Sequence, residues 1–94
     1  MTADLPPMTP PIKRSVTIDG HRTSVSLEDP FWTALGRAAR ARGTTRALLI
    51  GQIDHARPAN VGLATAIRLF VLADVQKAER DSRETSLNQP DRND

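Results

Sequence analysis

No cysteine and no tyrosine occurs in the 94 residues, and the aromatic side chains are limited to Phe31, Trp32 and Phe70. Without thiols there is no disulfide framework, no thiolate metal cluster and no thiol nucleophile. A chain this short holds one small domain, which excludes a large multi-domain enzyme. The two histidines, His21 and His55, lie far apart in sequence and read as a turn residue and a helix-surface residue, so no metal site is expected. No Gly-rich phosphate loop, Ser-His-Asp set or convergent carboxylate pair is present; neither an enzyme nor a cofactor is expected. The start MTADLPPMTPP has no basic n-region and no apolar h-region, and no stretch approaches the ~20 apolar residues of a membrane span. The expected location is the cytoplasm.

What is present is an uneven charge. The formal net charge is +2, but residues 78–94 carry −2, residues 1–77 carry +4, and Lys13 to Arg46 alone hold seven basic against three acidic side chains. This bias is compatible with a polyanionic partner. Residues 1–11 hold Pro6, Pro7, Pro10 and Pro11 with no apolar periodicity, and read as a flexible arm. Residues 78–94 are polar and mixed in charge, too poor in apolar groups to offset ordering entropy, and read as a disordered tail that frays from about Glu79. A domain over residues 12–77 remains. At roughly 65 residues a single core is marginal without disulfide or metal, so a dimer is the expected solution.

The segment IKRSVTIDGHRTSVSL places two alternating runs around Asp19-Gly20, the strongest short-range hairpin signal. A type I′ turn there sets Ile18 opposite His21, Val16 opposite Thr23, Arg14 opposite Val25 and Ile12 opposite Leu27 on a mainly apolar face. The other face then carries Lys13, Ser15, Thr17, Arg22, Ser24 and Ser26, polar throughout and basic. Asp29 as N-cap and Pro30 as first helical residue predict a helix whose apolar face is Phe31, Leu35 and Ala38, ended by Gly43. Glu28 and Asp29 read as capping acidity. A second helix opens at Thr44 or Thr45, buries Leu49, Ile50 and Ile53, and stops before Pro58. A third carries the stripe Leu63, Ile67, Phe70, Val71 and Asp74, with a second apolar edge at Leu69 and Leu72.

A basic hairpin followed by short helices, in KRSVTIDGHRTSVSLEDPFW, ARGTTRALLIGQID and AIRLFVL, resembles the ribbon-helix-helix family of dimeric DNA-binding proteins. The likeness is to the bacterial branch with an extra hairpin strand before the ribbon and a third helix after the core. It implies an α+β fold, a β-hairpin followed by three helices, as an intertwined homodimer with Val25, Leu27, Leu49, Ile50 and Ile53 at the dimer core. It further implies a transcriptional regulator that lays a two-fold β-ribbon in the major groove of double-stranded DNA. Carried onto this chain, Arg22, Ser24 and Ser26 read bases, with Arg22 the best fitted because its planar fork can bond guanine O6 and N7 together. Thr44, Thr45 and Arg46 occupy the place where the family holds a backbone phosphate at a helix start.

The additional strand widens the sheet. Four strands span three spacings of ~4.8 Å, more than the ~12 Å major groove, so only the central pair enters fully. Lys13, Ser15 and Thr17 then ride near the phosphate walls and position rather than read. The alternative reading is a protein-interaction module of the same fold, an antitoxin or accessory factor, with Leu69 and Leu72 of the third helix as the contact. The polar tail lacks the apolar anchors of a toxin-wrapping segment, which lowers the antitoxin version.

Overall fold

The computed structural model describes residues 4–88. Two strands, β1 (Ile12–Ile18) and β2 (His21–Leu27), precede three helices, α1 (Asp29–Ala41), α2 (Arg46–Ala56) and α3 (Leu63–Asn88). The strands form a two-stranded antiparallel sheet, and the pairing runs from Ile12↔Leu27 to Ile18↔His21, the register the turn predicts. Asp19 (φ 52°) and Gly20 (φ 78°) both occupy the left-handed region that a two-residue turn matched to strand twist requires. Residues 4–11 precede β1 without regular structure and are exposed.

The helices cover one face of the hairpin. Val16, Val25 and Leu27 meet Leu35, Ala38 and Ala39 of α1, Leu49, Ile50 and Ile53 of α2, and Ala66, Ile67 and Val71 of α3 in one cluster. No polar or charged residue is buried among those described. Val25, Leu27, Leu49, Ile50 and Ile53, which the resemblance implies for the dimer core, are buried within the single chain. The third helix adds Ala66, Ile67 and Val71 to this core.

Two boundaries differ from expectation. The N-cap of α1 is Glu28 (φ −66°, ψ 150°) rather than Asp29, and Pro30 sits one position further into the first turn. The Glu28 side chain does not cap the helix; it reaches to α3 instead. At the other end, residues 78–88, assigned to a disordered tail, continue α3 as helix to Asn88, while residues 89–94 lie outside the described part. The sequence reading weighed only burial there. A helix already anchored extends without a nucleation cost, and the pairs Lys77–Asp81 (3.6 Å) and Glu79–Arg83 add support at i,i+4 spacing.

Ile50, fully buried where the sheet and helices converge, is the most direct test of this core. Ile50→Ala is expected to cost about 2 to 5 kcal/mol by lost transfer energy and cavity formation. Denaturant unfolding measures it, and a smaller loss would place Ile50 outside the core.

Candidate nucleic-acid interface

Because side chains alternate across a strand, the register that buries Val16, Val25 and Leu27 turns Lys13, Ser15, Thr17, Arg22, Ser24 and Ser26 outward, and all six are exposed. Cross-strand partners on this face are Lys13↔Ser26, Ser15↔Ser24 and Thr17↔Arg22. Lys13, Ser15, Arg22, Thr23 and Ser24 line a shallow depression of about 540 Å³. The face thus combines two cations and four hydroxyls with no carboxylate.

Elsewhere cations are largely paired. Arg68 binds Glu28 in a two-pronged contact, Nε to Oε1 at 2.9 Å and Nη2 to Oε2 at 3.0 Å. Arg42 donates to Asp74 (2.7 Å) and lies over the Phe70 ring. Arg57 donates to Asp54 (2.8 Å) and to the Val61 carbonyl (2.7 Å). Among the described residues, Lys13 and Arg22 have no carboxylate within ion-pair distance. The outward sheet face therefore keeps its positive charge uncompensated.

Arg14 points to the covered face, opposite Val25, and sequence reasoning gave it no role. Its Nη2 donates to the Leu27 carbonyl (3.2 Å) and to Asp29, and its guanidinium lies 4.9 Å from the Trp32 ring centroid. A cation on an otherwise apolar strand face, followed by acidic residues at a helix start, is the signal that could have disclosed this clasp. His55 and Asp19 form a second one: Nε2 and Oδ2 are 2.8 Å apart, tying the hairpin turn to the end of α2.

The start of α2 is less open than expected. The Thr45 hydroxyl accepts from the Leu48 amide (3.2 Å), and the Thr44 amide donates to the Ala39 carbonyl (2.9 Å). Arg46 turns back on α1, where Nε donates to the Trp32 carbonyl (3.0 Å) and the guanidinium lies 4.8 Å from the ring centroid. Gly36 makes room for it, since a Cβ there would overlap the guanidinium. Helix spacing alone cannot show this close approach between α1 and α2, so the resemblance sets Arg46 on a phosphate without disclosing its contact with Trp32.

The matched stretch decides the family: a model of the ribbon-helix-helix domain fits residues 11–75. The chain belongs to the ribbon-helix-helix family. Domains of this family are in general DNA-binding regulators that act as dimers. The match spans the hairpin, α1, α2 and the packed half of α3, so the exposed sheet face lies wholly within the ribbon-helix-helix unit. No curated protein and no solved structure matches the chain. Among the described residues no helix is long and apolar enough to cross a membrane.

The Glu28–Arg68 contact fastens the strand-to-helix corner of the ribbon-helix-helix domain to α3. The hydrogen bonds from Arg68, then a backbone hydrogen bond, hold the Glu28 carboxyl below its ordinary range against a weaker opposing effect of desolvation. A depressed carboxylate contributes stability that is complete above its unfolded pKa and is lost as pH falls through the folded one. Acid melting curves are therefore expected to be shallower for Glu28→Gln than for the wild type below the ordinary carboxylate range. Identical pH dependence would remove this clasp from the stability of the fold.

Proposed function

We propose that the protein is a homodimeric, sequence-specific binder of double-stranded DNA that acts as a transcriptional regulator, with β2 strands paired across a two-fold axis in the major groove. The observation that carries this reading is the outward sheet face, where Lys13 and Arg22 stand among hydroxyls with no acid beside them. In this reading Arg22, Ser24 and Ser26 of the central pair read base edges, and Lys13, Ser15 and Thr17 of the outer strands meet the backbone. The head of α2, where the resemblance sets Thr44, Thr45 and Arg46 on a phosphate, offers less to this reading, because the Thr45 hydroxyl and the Arg46 guanidinium are already engaged.

Two features of β2 favour a partner strand. Its outer edge is unpaired in the single chain, and an unpaired edge of amides and carbonyls is a template for another strand. Beneath its first half, His21 and Thr23 border a concavity of about 400 Å³ with Asp54, Arg57 and Leu63, so the covered side of this strand is not fully packed within the single chain.

Selection of genomic fragments on the immobilised protein, followed by sequencing, tests the reading directly: a shared operator sequence is expected. Arg22→Ala is then expected to weaken discrimination at the contacted base pair by about 1 to 3 kcal/mol. Lys13→Ala is expected to weaken all sequences alike and to reduce the slope of log K against log salt by about one unit per contact. Unchanged affinity and preference in Arg22→Ala would remove the ribbon as the reading element.

A second reading, the protein-interaction module, is favoured by α3. Leu69 and Leu72 are 58% and 52% exposed, and Leu69 borders an apolar cleft of about 420 Å³ with Ile53, Pro58, Val61 and Phe70. Leu72→Glu should leave the melting temperature unchanged, because the position is half in solvent. Sedimentation of this variant at micromolar concentration separates the readings: loss of assembly assigns α3 to an interface, and a retained dimer leaves assembly to the ribbon.

A further inference from the structure

The basic surface continues beyond the sheet. From Gly36 to Ile53 the chain carries Arg37, Arg40, Arg42 and Arg46 and no acidic residue. Arg42 is taken by Asp74, and Arg46 is folded onto Trp32. Arg37 and Arg40 remain on the outer face of α1, one turn apart and exposed, with no carboxylate within ion-pair distance among the described residues.

Their surroundings concentrate charge of the same sign. Arg14 of β1 and Arg46 of α2 both lie over Trp32, so the edge of β1, the side of α1 and the first turn of α2 meet at that ring. Arg40 follows Gly36 by four residues, on the flank of α1 where the Arg46 guanidinium fills the missing side chain. The carboxylate at this junction, Asp29, is bound by Arg14. Guanidinium groups gathered with their one acid already used create a local field for anions.

We propose that Arg37 and Arg40 form a second phosphodiester-binding patch, lateral to β1, that contacts the DNA backbone outside the groove occupied by the ribbon. The inference rests on the DNA reading above. In that reading β1 is the outer strand, and its Arg14 reaches Asp29 and Trp32 at the start of α1, where Arg46 of α2 also stacks. Guanidinium forks suit phosphate oxygens, and their distance from the outward sheet face leaves base reading to β2. The ordinary role of a basic residue in the last turn of a helix, complementing the dipole, acts on stability and leaves the salt dependence of DNA binding untouched.

The test compares the wild type with Arg37→Gln/Arg40→Gln on two duplexes, one holding only the selected operator and one extended by about a helical turn on each side. The wild type is expected to bind the extended duplex more tightly and with a steeper dependence of log K on log salt. The double variant is expected to lose that advantage, with the slope on the extended duplex reduced by about 3 to 4 for four contacts per dimer at ~0.9 each. Its base preference and melting temperature should match the wild type. A wild-type slope in the double variant, beside a reduced one in Lys13→Ala, overturns the patch and leaves the sheet reading standing. A wild-type protein that binds neither duplex overturns the DNA reading and this inference with it.

Discussion

Everything in this fold follows from the register of one hairpin. The turn at Asp19-Gly20 commits the strands to a pairing in which every second residue faces the helices. A slip by one residue would carry Val16, Val25 and Leu27 into solvent and drive Lys13, Arg22 and the hydroxyls against the core. The apolar burial that stabilises the domain and the uncompensated charge that recommends it for a polyanion are thus one event. A change of register would alter both at once.

Electrostatics divides along the same line. Asp29, Glu28 and Asp74 bind arginines across element boundaries, and Asp54 binds Arg57 at the end of α2. These pairs fasten elements without placing a charge in the interior, where an unpaired one would be costly. With these acids paired at other places, the outward sheet face is locally more basic than a net charge of +2 conveys. Trp32 has a special part in this arrangement, because its ring receives Arg14 from one element and Arg46 from another. The lone tryptophan is therefore less a core residue than a platform on which charged side chains are stacked.

Much of this was legible in the sequence. The two-residue period around Asp19-Gly20 specified both faces of the sheet, and the spacings of Leu35, Leu49, Ile50, Ile53 and Ile67 specified the buried sides of the helices. Apart from the Arg14–Asp29 clasp, long-range polar contacts were not legible. Nothing in the spacing of Trp32 and Arg46, or of Glu28 and Arg68, announces that they meet, because such contacts depend on how whole elements pack. The extent of α3 was underestimated for a different reason: exposed helix is sustained by charge pairs along the chain, and a reading weighted toward burial overlooks them.

The bridges also differ in how much chain each one encloses. Arg46 and Trp32 are separated by 14 residues and Arg14 and Asp29 by 15, whereas Glu28 and Arg68 are separated by 40. Closing the longest of these loops costs about 0.9 kcal/mol more entropy than closing the 15-residue one, by the logarithmic dependence on loop length. In kinetic terms the hairpin and the Trp32 junction join neighbouring segments, whereas the Glu28–Arg68 contact requires α3 to be in place. That order is also the order in which the chain is synthesised. Among the described elements α3 is synthesised last, so Ile67 and Val71 join the core after Leu49, Ile50 and Ile53 have been made.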